Sequence, residues 1–555
     1  MTELKLWFKE NYLYLTILAL LVFVAYAGSL NHAFVADDVP GILNNPEITK
    51  TSYIFSNPLT LIKNIIYFTI VNLFGRTPTA FRALNIFLHL GNVWLIFFLL
   101  QTLLGNKIAL FTAAIFAVHP LATEAVTWVS GGQYARYSFF LLLALVLYVL
   151  SDAKEDKKLY PAPFNDWKRC GVYWASMGNF ALSLLNSEKA MVFPFILLAL
   201  EFAYQGLRKN WQRLIFPFVL GGTWALIFVS KIGQRLSDIE TATYQSPQTA
   251  SPLAQIPVAI SSYLELIFWP KNLTLYHSEM SFSSVAFYLR LMIFLVFLGL
   301  AVLMFKKSKP ACFWLSFFII ALFPTLVPFG ISWIVAERYA YLGSIGIYTV
   351  AAMVVNSIVE GFVKKFGERY QQLGRSLPAI AYGIRRWQAG SNLYVIILIP
   401  LILTLTARTI TRNQDWKNQD TLWLAAAKTS PSSPQNHNNL GDLYGRRGDL
   451  ERSAEEFKKA IELKPGYADA YHNLGNTYQQ MGKIDEAIVN YQKAAEANPG
   501  LWQSCQNLAA IYFEQEEFEL AKEWMEKAVA ANPENQNLRR NLEVIHLKLE
   551  NVTGP

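Results

Sequence analysis

The sequence predicts an all-α protein: a polytopic membrane block followed by a water-facing tail of paired helices. Three observations predict it. Of 555 residues, 53% are hydrophobic and only 16% charged, with mean hydropathy +0.25; water-soluble domains carry more charge. Apolar runs recur along the chain as far as Leu405. From Pro434 onward the chain repeats itself every 34 residues. Charge divides at the same place. Pro434–Pro555 holds 13 Lys+Arg against 19 Asp+Glu, leaving 35 against 21 for the remainder, a basic membrane-bound front and an acidic tail.

A bilayer crossing needs roughly 20 mostly apolar residues. The sequence offers 11 spans, some short: Tyr12–Tyr26, Leu84–Leu104, Ile108–Val118, Phe139–Leu150, Val172–Leu185, Ala190–Tyr204, Leu214–Val229, Leu291–Phe305, Ala311–Val327, Tyr341–Ile358 and Leu393–Leu405. No small-residue cleavage site follows the first, so it reads as an uncleaved span. The 15 Trp and 27 Tyr suit membrane–water interfaces. Alternate connections are basic: Lys5 and Lys9; Lys107; Lys154, Lys157, Lys158, Lys168 and Arg169; Arg208, Lys209 and Arg213; Lys306, Lys307 and Lys309; Lys364, Lys365, Arg369, Arg375, Arg385 and Arg386. The positive-inside rule places these in the cytoplasm. Asn31–Pro78, Leu121–Arg136, Gln234–Ser251 and Pro328–Ala340 are poorer in basic residues and fall on the other side. Ile256–Trp269 would break this alternation as a crossing, so it is expected as an interfacial or re-entrant helix. With 11 crossings and a cytoplasmic N-terminus, the tail is expected on the exoplasmic side.

In the tail, Leu440-Gly441, Leu474-Gly475 and Leu508-Ala509 are 34 residues apart, as are Tyr444, Tyr478 and Tyr512, and Ala460, Ala494 and Ala528. Phe457, Tyr491 and Met525 take the large position of each second helix, and Pro465, Pro499 and Pro533 close the pairs. This is the tetratricopeptide pattern. It divides the chain into a membrane domain, 1–410; a connector, 411–433, in which Asp420–Pro431 resembles a degenerate repeat's second helix; repeats 434–467, 468–501 and 502–535; and a capping helix, Gln536–Leu549. Stacked pairs leave a concave face, expected to hold a polypeptide or partner; the alternative is a rigid spacer. No nucleic-acid partner is expected. Cys170, Cys312 and Cys505 form no C-x-x-C pair and no zinc spacing, so disulfide and metal readings are weak.

Four polar clusters stand where the membrane would resist them. Asp37-Asp38 follows the first span, with Pro40, Asn44, Asn45 and Pro46 after it. Such a pair can take a proton from an acceptor hydroxyl, bind a divalent ion or cap a helix. His119-Pro120-x-x-Thr123-Glu124-Ala125-Val126 leads into Ser130-Gly131-Gly132, where the glycines allow close backbone approach, and on to Arg136, a fork for phosphate. Asn186-Ser187-Glu188-Lys189 follows the fifth span. Ala336-Glu337-Arg338-Tyr339 precedes the tenth, with Arg338 able to pair with Glu337 or with a ligand phosphate. Ionisable groups at membrane depth are functional candidates, and the expected topology puts all four clusters on one side. A sugar on a lipid phosphate fits them: Arg136, Lys189 or Arg338 would stabilise charge on the departing phosphate, a carboxylate at Asp37 or Asp38 would activate the attacking hydroxyl, and the apolar spans would hold the polyprenyl tail.

The order of these motifs, followed by Arg412-Asn413-x-x-Trp416 and Asn439-Leu440-Gly441, resembles the transmembrane and tetratricopeptide-repeat-containing O-mannosyltransferases, and more broadly the C-type (GT-C) glycosyltransferases that use polyprenyl-phosphate sugars. The resemblance implies that Asp37 and Asp38 are catalytic, and that Glu124, Glu188, Lys189, Glu337 and Arg338, with His119, line the pocket. It also implies an inverting transfer of a sugar, mannose, from a polyprenyl phosphate to a protein Ser or Thr hydroxyl presented by the repeats. No cofactor or divalent metal is expected; the lipid-linked sugar is a substrate. The short repeat array suggests a prokaryotic relative, in a bacterial or archaeal cytoplasmic membrane. The alternatives are a transferase acting on a glycan or lipid, and a non-enzymatic membrane scaffold whose repeats recruit partners.

Overall fold

The computed structural model describes residues 2–151, 167–205, 210–241, 252–275, 277, 283–326, 335–372 and 379–553. Helices and their connections make up all of it; no strand occurs among the described residues. The chain forms two compact units. Met1–Ile232, Ala250–Leu275 and Phe282–Thr421 make the first, and Gly233–Thr249, Tyr276–Ser281 and Leu422–Pro555 the second.

The first unit is built from α1 (Thr2–Tyr26), α2 (Leu61–Phe74), α3 (Pro78–Leu104), α4 (Asn106–Val118), α5 (Gln133–Leu150), α6 (Trp167–Leu184), α7 (Phe193–Leu200), α8 (Gln212–Thr241) as far as Ile232, α9 (Pro252–Phe268), α10 (Ser284–Lys307), α11 (Lys309–Leu322), α12 (Ala340–Gln372) and α13 (Ala379–Asp415). Most are apolar on every side, the mark of membrane helices. Leu226, Val302 and Ile396 are largely exposed, forming the outer surface that lipid would cover. Against that outside, α3 packs on α4 and α5, and α12 on α4 and α11.

Among the described residues, seven segments are long and apolar enough to cross a membrane: Leu6–Ser29, Pro78–Leu104, Ser130–Leu150, Gln212–Ser230, Ser284–Lys307, Glu337–Lys365 and Leu393–Asp415. They coincide with seven of the 11 spans read from the sequence. The other four are not matched as full crossings. Asn106–Val118 and Pro120–Val126 form a pair bent by 53°, which would make an eighth span if counted together. The helix α6, at Val172–Leu185, carries Ser176, Asn179 and Ser183 and does not reach the hydropathy of a span. Ala190–Tyr204 is broken into a 3-10 turn at Glu188–Val192, the eight-residue α7 and a wide turn at Glu201–Gln205. Ala311–Val327 comprises the 14-residue α11 and a 3-10 turn at Phe323–Thr325; Val327 itself lies outside the described residues. So do Lys154, Lys157, Lys158, Arg208, Lys209 and Arg375, and much of the loops Gln234–Ser251 and Pro328–Ala340. Ile256–Trp269 falls on and just beyond α9, which is apolar but too short to be counted among the seven.

The helix α14 (Gln419–Thr429) precedes the second unit's three helix pairs: α15 (Pro434–Arg446) with α16 (Leu450–Leu463), α17 (Ala468–Gln480) with α18 (Ile484–Ala497), and α19 (Trp502–Glu514) with α20 (Phe518–Ala531). The closing helix is α21 (Gln536–Thr553). Ser433 caps α15 by accepting from the Asn436 N–H, and Asp449 caps α16 by accepting from Arg452, satisfying donors that a helix start leaves unpaired. The small positions work as the period implies. A Cβ on Gly441 would stand 2.6 Å from the Phe457 ring, and one on Gly475 2.7 Å from Tyr491, so glycine lets α16 and α18 seat their aromatic rings, while the third pair sets Ala509 with the slimmer Met525. Ala460, Ala494 and Ala528 are fully buried.

Candidate active site

The site begins where α1 ends. Ala36 adopts a left-handed backbone, φ 49°, a conformation that costs a non-glycine residue about 1–2 kcal/mol. The kink separates the two carboxylates that follow. Asp38 turns inward and is fully buried. Its Oδ1 accepts from the Ser130 N–H at 2.8 Å and the Ser130 hydroxyl at 2.6 Å, and its Oδ2 accepts from the Val35 N–H at 3.4 Å. It precedes the wide turn Val39–Leu43 but gives that turn no side-chain cap, so the capping reading does not hold for it. Asp37 turns outward and is exposed, near enough to Arg338 to feel its charge.

Ser130 reaches Asp38 because the chain after it comes unusually close to its neighbours. A Cβ on Gly131 would meet the Glu124 carbonyl at 2.0 Å, and one on Gly132 the Asn85 side chain at 2.1 Å. Arg82, in the apolar α3 and fully buried, binds the two loops together. Its Nε donates to the Thr127 carbonyl at 2.9 Å, its Nη2 to Ala33 at 2.6 Å and its Nη1 to His32. From the other side, the Thr127 hydroxyl donates to Asn413 Oδ1 and Asn413 Nδ2 donates to the Ala25 carbonyl, both at 2.7 Å. The Trp128 and Trp416 rings stack at 5.6 Å.

The remaining clusters meet here through ion pairs and rings. Arg338 pairs with Glu124, not with its neighbour Glu337: Glu124 accepts from the Arg338 N–H at 2.8 Å and from Nη1 at 2.5 Å. Glu337 pairs instead with Arg412 at 2.9 Å, and Arg412 also holds Asp415 at 2.8 Å. Lys189 contacts Glu188 at 2.9 Å and lies 5.4 Å from the Tyr134 ring centre. Tyr134 packs on Tyr339, and Arg338 lies over Tyr339 at 5.0 Å. One chain of contacts thus joins Lys189, Tyr134, Tyr339, Arg338 and Glu124.

Arg136 differs from the other cations. It is buried, and its Nε and Nη2 have no hydrogen-bond partner among the described residues. Its guanidinium lies 5.6 Å from the Tyr67 ring centre and reaches the Tyr67 hydroxyl; Lys63 Nζ lies 5.8 Å from the same ring. Burial, helped by the charge on Arg136, pulls the Lys63 ammonium below its ordinary value. A buried cation without a counter-charge costs several kcal/mol, roughly, so this position favours an anion. His119 stands apart. Its Nε2 faces the Ile267 carbonyl at 2.9 Å and its Nδ1 accepts from the Leu121 N–H at 3.2 Å, so backbone groups engage both nitrogens.

Burial pushes the Asp38 carboxyl up to about 6, against the pull of its Ser130 and Val35 hydrogen bonds and of Arg82. Asp37 is raised too: its carboxyl is open to solvent on one side, but the protein packed around the loop desolvates it, opposed by the charge of Arg338. No group of three His, Cys, Asp or Glu among the described residues is placed to hold a metal ion. Beside the turn that carries Lys189, an apolar groove of about 520 Å³ runs between α7 and α11, lined by Val192, Phe195, Leu198, Phe202, Phe313 and Ile320 among others. Arg82 and Lys63 were not singled out from the sequence. A lone arginine inside the 27-residue apolar α3 was the available signal for the first. Lys63, in a loop counted only for its low basic content, gave none.

Tetratricopeptide-repeat family models match residues 441–482, 468–501 and 503–535. A protein O-mannosyl-transferase of Caenorhabditis elegans is 22% identical over 82% of this chain and 63% of its own length. Human protein O-mannosyl-transferase TMTC3 is 23% identical over 81% and 51% respectively. Drosophila melanogaster Tmtc1 is 32% identical over 23% of this chain and 17% of its own. The chain therefore spans about half to two thirds of the length of the first two. Among solved structures, the Archaeoglobus fulgidus oligosaccharyltransferase AglB, in complex with an inhibitory peptide and a dolichol-phosphate, is 12% identical at a TM-score of 0.41, covering 73% of this chain and 56% of that one. ArnT of Cupriavidus metallidurans, bound to undecaprenyl phosphate, is 14% identical at 0.37, covering 78% and 81%. Over about four fifths of its length, then, the chain is similar to protein O-mannosyl-transferases, and its tail matches the tetratricopeptide repeat.

Proposed function

We propose that this membrane glycosyltransferase moves mannose from a polyprenyl phosphate to a Ser or Thr hydroxyl of a polypeptide, with inversion, on the exoplasmic side. One pairing carries the reading: an exposed carboxylate, Asp37, that feels the charge of Arg338, and a buried guanidinium, Arg136, whose Nε and Nη2 have no hydrogen-bond partner among the described residues. The first suits a base and the second an anion, and transfer from a lipid phosphate needs both. The acceptor oxygen attacks C1 of the sugar on the face opposite the phosphate. Its proton passes to Asp37. The bond from C1 to the phosphate oxygen breaks, and the electron pair leaves with the polyprenyl phosphate, whose charge Arg136, Arg338 and Lys189 offset. Asp38 fixes the loop that aims Asp37, through Ser130. The groove between α7 and α11 takes the isoprenoid chain, being apolar and adjoining the Lys189 turn. The chemistry is proposed to run without a metal. The names of the relatives support the mannose and the protein acceptor, and the Lys- and Arg-rich loops support the side.

The test is transfer itself, by purified protein in lipid nanodiscs supplied with radiolabelled polyprenyl-phosphate mannose and a Ser/Thr peptide. Label on the peptide hydroxyl is the expected result. Label on an added glycan or lipid but never on peptide would replace the acceptor, and no transfer to any acceptor would refute the reading. The acid limb is a second expected outcome. Transfer should fall as pH drops through about 6, where Asp38 takes up a proton. Folding stability responds in the opposite sense. A carboxyl raised in the folded state binds its proton more tightly there than in the unfolded chain, at about 3.9. Its stabilising contribution is therefore full below about 4 and lost as pH rises through the folded value. From about pH 7 to about pH 5 the rate should fall while this group does not lower the thermal midpoint. A midpoint that fell in step with the rate would assign the limb to unfolding.

A further inference from the structure

We infer that Arg412 is a positioning residue for Arg338, an inference that rests on the assignment of Arg338 to the departing phosphate and deepens it. Arg412 lies in the last turn of α13 and is almost fully buried. A buried arginine is unfavourable unless it is paired, and this one divides its fork between two carboxylates. Its Nη2 donates to Glu337 Oε1 at 2.9 Å and its Nη1 to Asp415 Oδ2 at 2.8 Å. Glu337 is the residue before Arg338 in a 3-10 turn of three residues, Glu337–Tyr339. Pinning the first side chain of so short a turn fixes the direction of the second, since successive side chains stand about 120° apart.

A second route from Arg412 to Arg338 runs through rings. The Arg412 guanidinium lies 5.8 Å from the Trp416 ring centre, Trp416 stacks on Trp128, and the Arg338 guanidinium lies 5.4 Å from the Trp128 ring centre. The contacts close a circuit: Arg412, Glu337, Arg338, Trp128, Trp416. Both tryptophans are buried, so neither route is free to slide. Charge points the same way. Two guanidiniums, Arg338 and Arg412, meet three carboxylates, Glu124, Glu337 and Asp415. Glu337 is fully buried. While Arg412 offsets its charge, Arg338 answers to Glu124. Without Arg412 the Glu337 charge would stand uncompensated one residue from Arg338 and would draw the guanidinium off the phosphate. A group that stabilises developing charge acts by being in place beforehand. Its misplacement therefore lowers rate more than ground-state binding, which Arg136 and Lys189 still supply.

The test is whether Arg412 acts through Arg338. Transfer from radiolabelled polyprenyl-phosphate mannose to a Ser/Thr peptide is measured in nanodiscs for R412Q, R338Q and R338Q/R412Q, below the thermal midpoint of each. R412Q should lower kcat by about ten- to a hundredfold with the donor KM within about threefold of the parent. R338Q should lower kcat by about a hundred- to a thousandfold. The double variant should lie within about threefold of R338Q, because nothing is left for Arg412 to aim. Where a single variant does not fold, E337Q/R412Q or E124Q/R338Q, which also removes the stranded carboxylate, takes its place in the same cycle. Additive losses would make Arg412 a structural residue only, and an unchanged kcat in R412Q would deny it any role; either overturns the inference and leaves the donor reading standing. A parent kcat in R338Q, or no transfer by the parent chain, would overturn the inference together with that reading.

Discussion

Asp37→Asn should lower transfer by about a hundred- to ten-thousand-fold, the range supplied by a positioned general base, and leave the protein folded and able to bind polyprenyl phosphate. The side chain is exposed and gives no hydrogen bond that holds the loop, so its loss should change stability by no more than about 0.5 kcal/mol. The amide keeps the shape and cannot take the acceptor's proton. Asp38→Asn should behave differently, because Asp38 is fully buried and receives both the Ser130 N–H and hydroxyl. There the loss of activity should come with a lowered thermal midpoint. Measured rates and midpoints for the two variants separate a base from an anchor. If Asp37→Asn transferred mannose at the parent rate, Asp37 would not be the base.

The second large effect is on stability. Glu124→Ala should cost about 3–5 kcal/mol, the cost of stranding one partner of a buried ion pair. Glu124 is fully buried and Arg338 only 13% exposed at its side chain, so solvent screening offers little relief. The substitution also leaves the Arg338 N–H without the acceptor it has at 2.8 Å. Adding Arg338→Met removes the stranded charge and should recover part of the midpoint without recovering transfer, since the same guanidinium is assigned to the phosphate. Thermal midpoints of the two single variants and the double variant measure the coupling. Equal, additive losses would show that the pair contributes nothing as a pair.

Much of the fold was legible because it rests on local periodicity. The 34-residue register of Leu440, Leu474 and Leu508 fixes which residues face the paired helix, and the glycine beside Phe457 or Tyr491 follows from size alone. Seven apolar runs were long enough to identify as crossings. Ala190–Tyr204 was misleading, because its composition is apolar throughout while its backbone changes from 3-10 turn to α-helix to a wider turn. The site was legible as a set of residues but not as a set of partners. Glu337 and Arg338 are neighbours in sequence, yet a 3-10 turn points successive side chains about 120° apart, and each finds its partner far along the chain in Arg412 and Glu124. The division of labour between Asp37 and Asp38 depends on the backbone of Ala36, which no residue type in that loop announces. Arg136 was expected as a fork for phosphate, and its burial was not legible in the sequence. The three carbonyls gathered by Arg82 come from two loops that only folding brings together.

The central claim is that Arg136, through the two nitrogens that have no hydrogen-bond partner among the described residues, receives a lipid phosphate in the site that Asp37 faces. The most direct measurement is a cryo-EM structure of the protein in nanodiscs with polyprenyl phosphate bound, for the parent chain and for Arg136→Met. The phosphate should lie within hydrogen-bond distance of Arg136 on the Asp37 side, with the isoprenoid chain along Val192, Phe195 and Phe313, and its density should be lost in the variant. A phosphate held by Lys306, Lys307 or Lys309, with Arg136 untouched, would contradict the account.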